Sequence, residues 1–536
     1  MRGPPLQTTT AGIGAGRPAA AGSRSTAPAP ARPAGAAQRR LPRKRALIVN
    51  CFIDEYRRTR GSPHRVPRAM GPPFLAGALA REAWDIRLYN EQYSGLLNDG
   101  GLIGWPDLLV LTGLTASFDR LMQLTAYARS LNPNVVVAAG GPAVRALPRR
   151  AARIFDYACT GDLEQLQEVI REAFGRDYAA ERIFPRFDLP YGRGMFGYVE
   201  SSRNCNFRCS FCSLTGEQGR YQTYDLDYVR GQIRACGKRQ ICFIDNNFYG
   251  NDRGFFLAKV EMCRAMVERG EIDGWSCLVT GDFFARPENL ELVSRAGCKA
   301  LFSGVESFSE EVLRSYNKRH NTLVPQVEMV RGCLEAGVVF AYGIMLDPTT
   351  RRLGDLRGEI EFIVNTPAIT LPAFFTLAIP LIGTPYFRDC LAGGRFLPDT
   401  RLRNLDGVTL TMHPRDPLGE VLAFVRDLPS LRGYRRHAVR HAVKFARRYR
   451  RRLEPLQLFA ALLPTALICT EFAASSPFRL QLGRPHQTYY GPTEGLDPIY
   501  TPRIRVEARY RDHFRPTMIT DGAGAPHADI AEDLAL

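Results

Sequence analysis

The stretch Cys205-Asn206-Phe207-Arg208-Cys209-Ser210-Phe211-Cys212 decides how the rest of the chain is read. Cysteines spaced four and then three apart can turn their thiolates toward one point. Three thiolates are one short of the four that normally close an iron–sulfur cluster, so a cluster held by them keeps one iron open to another ligand. The competing readings are a zinc knuckle and a chance grouping among thirteen cysteines. Zinc sites usually pair Cys-x-x-Cys with a second pair or with histidines, and neither lies near in sequence.

Working outward, residues 181–420 contain six strand-like segments: 197–201, 241–244, 275–280, 300–303, 338–344 and 373–378. Each gap has room for the helix that a parallel crossover requires. Pro287-Glu288 opens one such helix and Gly297 closes it. Six strands rather than eight predict a partial (β/α)6 TIM barrel with its active site at the carboxyl ends of the strands. The cysteine loop directly follows the first of them.

Upstream, residues 46–180 alternate strands (46–49, 86–88, 108–111, 135–139, 157–159) with helices (73–82, 119–131, 163–174). That alternation predicts an α/β, doubly wound (Rossmann-like) parallel sheet, with ligands beyond the carboxyl ends of its strands. Those ends carry Thr112-Gly113-Leu114-Thr115, Gly140-Gly141 and Gly161-Asp162. Glycine there lets backbone approach a flat ligand closely.

The net charge of +17 suggests nucleic acid until it is located. Residues 1–45 carry nine Lys/Arg and residues 432–452 carry ten, neither with an acid, so the rest of the chain is near neutral. No nucleic-acid partner is expected of the globular body. Residues 1–45 are Ala/Pro/Gly/Arg-rich and read as a disordered basic tail without the apolar core of a secretory signal. The most apolar run, 455–469, contains Gln457 and Pro464 and is too short to span a bilayer. Cysteines without regular pairing fit a reducing, cytoplasmic setting.

The cysteine spacing, with Phe211 just before the last cysteine, resembles that of radical S-adenosylmethionine (radical SAM) enzymes. The resemblance implies that Cys205, Cys209 and Cys212 bind a 4Fe-4S cluster and that SAM takes the open iron. It further implies that Phe211, the Asp245-Asn246-Asn247 element and the Gly304-Val305-Glu306-Ser307 element contact SAM, and Lys318 also matches the pattern. Asn204 stands where relatives commonly carry glycine, and asparagine tolerates left-handed backbone. An external electron donor such as flavodoxin or ferredoxin is implied as a partner.

The upstream domain resembles the cobalamin-binding domain that precedes the barrel in many of these enzymes, which implies cobalamin contacts at Thr112, Gly113, Leu114, Gly140, Gly141 and Gly161. The Asp-x-His-x-x-Gly motif that supplies an axial histidine elsewhere is absent, and no histidine occurs between His64 and His320. The resemblance implies cobalamin-dependent methylation of an unactivated carbon in a small-molecule or lipid-like substrate. A radical SAM oxidative cyclase or rearrangement enzyme is the alternative, and a non-catalytic iron–sulfur redox sensor is the alternative of another class.

Residues 421–536 read as a mostly helical C-terminal region. Arg435, Arg436, Arg440, Lys444, Arg447, Arg448 and Arg451 beside Val439, Val443 and Phe445 form a basic amphipathic helix. Such a helix either contacts a membrane surface peripherally or is a solvated face closing over the barrel. Residues 489–500 read as a Pro/Gly/aromatic segment covering the active site, and the last twenty or so residues as a flexible tail.

Overall fold

The computed structural model describes residues 41–52, 70–191, 194–407, 409–428, 431, 433–473, 487–488, 491–492 and 499–534. Most of the basic tail and most of the aromatic segment before Tyr500 lie outside them.

Five upstream strands, β1 (Lys44–Asn50), β2 (Trp84–Asn90), β3 (Leu108–Thr112), β4 (Val136–Gly140) and β5 (Tyr157–Cys159), form one sheet in the order β2-β1-β3-β4-β5. Every pairing is parallel. Side chains alternate between two apolar layers, as the two-residue period of a strand dictates. Ala46, Ile48, Leu108 and Val110 pack on one face with Leu166, Val169 and Ile170. Leu47, Val49, Leu109 and Leu111 pack on the other with Phe118, Leu121 and Met122. Helix α1 (Gly71–Ala76) and helix α3 (Leu163–Phe174) cover the first face, and helix α2 (Phe118–Leu131) the second.

The helix expected over 73–82 ends at Ala76. Residues 78–80 are recruited instead by a later segment: Ala80 N donates to Tyr178 O (3.0 Å) and Ala180 N to Ala78 O (2.9 Å). Gly77 sits against the Phe184 carbonyl, where any Cβ would collide. Tertiary backbone pairing thus overrides a helical pattern of moderate propensity.

Six more strands, β6 (Phe196–Val199), β7 (Gln240–Phe243), β8 (Gly274–Leu278), β9 (Cys298–Glu306), β10 (Val339–Leu346) and β11 (Phe374–Leu377), pair in sequence order. All are parallel, giving a partial barrel with two open edges. Helices Leu226–Ala235, Arg253–Glu268, Glu288–Arg295, Gln326–Glu335 and Leu353–Asn365 fill the crossovers. Outward-facing Ile241, Phe243, Trp275, Cys277 and Leu301 bury against them.

The helical C-terminal region contains α5 (Arg435–Tyr449), α6 (Pro455–Ala473) and α7 (Ala528–Leu534). The described end of the chain is not a loose tail, against the sequence expectation. Phe514, Ile519 and Ile530 are buried in the same core as α2. Arg150 Nη1 pairs with Asp529 (2.9 Å), and Arg149 N donates to Asp533 (2.6 Å). Three widely spaced apolar residues carry that docking, too sparse a pattern to register as an amphipathic element.

Candidate functional site

The cysteine loop leaves β6 through Asn204, which adopts φ +61° as left-handed geometry there requires. Asn204 Nδ2 donates to Arg220 O (2.8 Å) and fixes that turn. The loop then runs into a short helix, α4 (Ser213–Glu217), directly after Cys212.

Cys209 is buried, and Cys205 and Cys212 are half-buried. Burial pushes all three thiols up, Cys209 to about 12; Cys205 and Cys209 also feel the charge of another of the three, and Cys212 that of Glu217. Opposing this, Lys318 favours the thiolate at all three, the amide of Phe207 supports Cys205, and those of Leu214 and Thr215 support Cys212. Among the described residues no three His, Cys, Asp or Glu side chains are gathered around a single metal ion. A four-iron cluster needs three thiolates that each reach a separate iron, and the donor set here fits that group: three sulfurs, backbone N–H donors and one cation.

Lys318 is no surface lysine. Its Nζ lies 2.8 Å from Glu306 Oε1, with the two side chains 10% and 16% exposed. Burial alone would lower its pKa, but Glu306 and the neighbouring thiols hold it above the ordinary lysine value. The ammonium also lies 5.5 Å from the Phe211 ring centroid, and that ring packs edge-on against Tyr316. Glu306 reaches this position through a register shift in the β9–β10 ladder and a left-handed φ of +61°. Gly304 is required beside it, because a Cβ there would meet the Glu306 carboxylate and Lys318 Nζ.

Two residues expected to contact SAM face elsewhere. Asp245 is fully buried beneath the cysteine loop, accepting from Ser201 N (2.7 Å), the Ser201 hydroxyl and Ser202 Oγ (2.7 Å), with Lys259 Nζ at 3.7 Å. Its oxygens are taken by the chain segment they anchor. Ser307 is likewise fully buried and donates to Glu359 Oε1 (2.6 Å). Of the two asparagines that follow Asp245, one is exposed and the other fully buried. Asn246 is exposed at a cavity wall. Asn247 Nδ2 donates to Asn206 Oδ1 (2.8 Å) within the cysteine loop, and its own Oδ1 is buried without a hydrogen-bond partner. That orphaned acceptor beside the loop suits a donor group of a bound ligand, the ammonium of SAM among them.

The carboxyl ends of both sheets border one cavity of about 320 Å³. From the upstream sheet it is lined by Thr112, Gly140, Gly141 and Gly161, and from the barrel side by Glu200, Asn204, Leu214 and Glu217. Gly113 and Leu114 do not line it. Gly113 instead packs under the next turn, with its carbonyl 2.6 Å from where a Cβ of Gly141 (φ +109°) would sit, and Leu114 is 68% exposed. No histidine is among the lining residues.

Sequence reasoning missed Arg145 and Glu200. Arg145 Nη2 pairs with Asp162 (2.7 Å) and donates to Gly161 O (2.7 Å), while its Nη1 meets Glu217. Burial raises the Glu200 pKa to about 7, although Arg203 and the Tyr224 hydroxyl stabilise its anion. Neither belongs to a motif, and only the folded chain brings their partners together.

Residues 199–352 match the radical SAM superfamily. The chain is 25% identical over 400 residues to the hopanoid C-2 methylase of Rhodopseudomonas palustris, covering 67% of this chain and 73% of that protein. It is 28% identical over 201 residues to the bacteriochlorophyllide d C-12(1)-methyltransferase of Chlorobaculum tepidum, covering 36% of this chain and 42% of that one. Among solved structures, the cobalamin-dependent SAM radical enzyme OxsB, with aqua-cobalamin and SAM bound, shares the fold at a TM-score of 0.53. That match is 13% identical and covers 92% of this chain and 84% of OxsB. The cofactors of a radical SAM domain are a 4Fe-4S cluster and SAM, for which the three-cysteine loop supplies a fitting donor set. Residues 199–352 thus form a radical SAM domain.

Proposed function

We propose that the protein is a cobalamin-dependent radical SAM methyltransferase acting on an unactivated carbon of a small-molecule or lipid-like substrate. The observation that carries this reading is the shared cavity, bordered by the upstream glycine turns on one side and by the residues flanking the cysteine loop on the other. Its volume of about 320 Å³ falls at the lower end of the roughly 300–1,000 Å³ of pockets that take drug-sized ligands. The side-chain-free wall at Gly140, Gly141 and Gly161 suits a broad, flat group such as a corrin. The methylase names of the similar proteins support the reaction class.

When bound, the cluster and SAM supply a 5′-deoxyadenosyl radical and cobalamin supplies a methyl group, with reducing equivalents from a donor such as flavodoxin or ferredoxin. The chain's own part is to hold the three sulfurs, to set Asn247 Oδ1 as an acceptor, and to keep Glu306 fixed through Lys318. Arg145 closes the cavity wall between Asp162 and Glu217.

Anaerobic reconstitution with iron, sulfide and hydroxocobalamin, followed by desalting, tests the reading. Retained corrinoid absorbance, with S-adenosylhomocysteine and 5′-deoxyadenosine formed together, is expected. A protein that loses all corrinoid on desalting is not cobalamin-dependent. 5′-Deoxyadenosine alone would identify a cyclase or rearrangement enzyme, and neither product would identify a sensor.

A further inference from the structure

Helices α5 and α6 pack at the amino-terminal end of the barrel strands, opposite the cavity. Gln457 Nε2 donates to Lys299 O (2.9 Å) and Gly337 O (2.8 Å), at the starts of β9 and β10. Tyr449 donates to Ala368 O (2.7 Å) and His441 Nε2 lies 3.1 Å from Thr366 O, both just before β11. On α5, Ala438, His441, Phe445 and Tyr449 face the barrel, and on α6, Gln457, Ala461 and Thr465 do. Both helices are therefore pinned to the barrel, α5 over 438–449 and α6 over 457–465.

Their opposite faces are left open. On α6, Leu456 is 61% exposed, Phe459 62% and Leu463 40%, a stripe at helical spacing with no charge on it. On α5, Val439 (45%) and Val443 (47%) alternate with exposed Arg436, Arg440, Lys444 and Arg447. None of these four cations makes an ion pair among the described residues, whereas Arg448 reaches Glu335 at 3.5 Å. The segment 432–452 contributes ten positive charges and no acid. Among the described residues, no helix is long and apolar enough to cross a membrane.

We infer that the α5–α6 hairpin docks the enzyme on an anionic phospholipid surface. The occupant is set by two features together. Unpaired arginines and lysine match lipid phosphates, and the large apolar side chains beside them match the acyl boundary that a soluble polyanion lacks. A solvated charged face would need the cations but not Phe459, Leu456 and Leu463. Docked this way, the enzyme is tethered by the base of its barrel, and the cavity at the other end stays accessible.

The test is co-sedimentation of the full chain, purified anaerobically, with two kinds of vesicle: phosphatidylcholine alone, and phosphatidylcholine mixed equally with phosphatidylglycerol. Binding to the anionic vesicles, weakened by salt, is expected, with little binding to phosphatidylcholine alone. Arg440→Gln and Lys444→Gln should each weaken it about fivefold. Phe459→Ser should weaken it roughly tenfold or more. SAM cleavage should be unchanged in all three, since the residues are exposed and far from the cysteine loop. Equal binding to both vesicle types would overturn the inference. So would charge-dependent binding that Phe459→Ser leaves intact, because that is the behaviour of a site for a soluble polyanion.

Discussion

Replacing Lys318 by methionine should damage the protein through the charge left behind rather than through lost packing. The Lys318 ammonium and the Glu306 carboxylate are 2.8 Å apart and mostly buried. Two unit charges at that separation attract by about 6 kcal/mol at an effective dielectric constant near 20. Desolvation offsets much of that attraction, so the intact pair contributes little net stability. Breaking it is another matter: an uncompensated buried charge costs about 3–5 kcal/mol. Glu306 cannot easily swing out to water, because its backbone is held at φ +61° in the shifted β9–β10 register. At about 2–4 °C per kcal/mol for a domain of barrel size, the melting temperature should fall by about 10 °C. The measurement is thermal unfolding by circular dichroism of the cluster-free protein, all variants scanned at one rate. Removing both charges, in Lys318→Met with Glu306→Gln, should restore most of the loss. SAM cleavage should remain low in both. A double variant as unstable as the single one would refute the charge argument.

Cys209→Ala should abolish the cluster's visible absorbance and all SAM cleavage, and retained cleavage would sink the cluster assignment. Gly141→Ala places a Cβ 2.6 Å from the Gly113 carbonyl at a φ of +109°, so it should cost about 1–3 kcal/mol and reduce corrinoid retention after desalting, with iron content unchanged. Glu200 has a folded pKa raised to about 7 from 4.5, which makes its contribution to stability fully present below pH 4.5 and lost as the pH rises through 7. The loss is up to about 3 kcal/mol, and Glu200→Gln should flatten the wild-type decline between those values, read from urea unfolding at each pH.

The parts legible in the sequence are those whose physics is local. A strand buried on both faces announces itself as an apolar run, which is why 46–49, 108–111 and 157–159 lie within or match real strands. A three-cysteine loop and the left-handed Asn204 are likewise readable from neighbouring residues alone. Side-chain direction was not: Asp245 and Asn247 sit two apart after β7, yet one anchors Ser201 and Ser202 and the other leaves an acceptor open. Lys318 matches the family pattern in sequence, but its partner shows only once the turn that follows Glu310–Ser315 brings it back to Glu306. The shortened α1 and the docked end of the chain have the same origin, since their partners lie about a hundred and nearly four hundred residues away.

Arg145 shows how the two sheets are held as one unit. It follows β4 in the upstream sheet, and its guanidinium reaches Asp162 and the Gly161 carbonyl at the next strand end and Glu217 on α4, the helix that follows Cys212. A planar fork with several fixed donors can hold three acceptors in one geometry, which a lysine could not do. The upstream glycine turns are thereby tied to the cysteine loop through a single side chain. Apolar packing reinforces the tie from a second side, because Met345, Tyr386 and Phe387 of the barrel share a core with Leu109, Leu111 and Phe118. Chemistry that begins at the cluster and ends at a group held by the glycine turns needs those two places at a constant separation. A side chain bonded to both ends, backed by a common core, supplies that constancy.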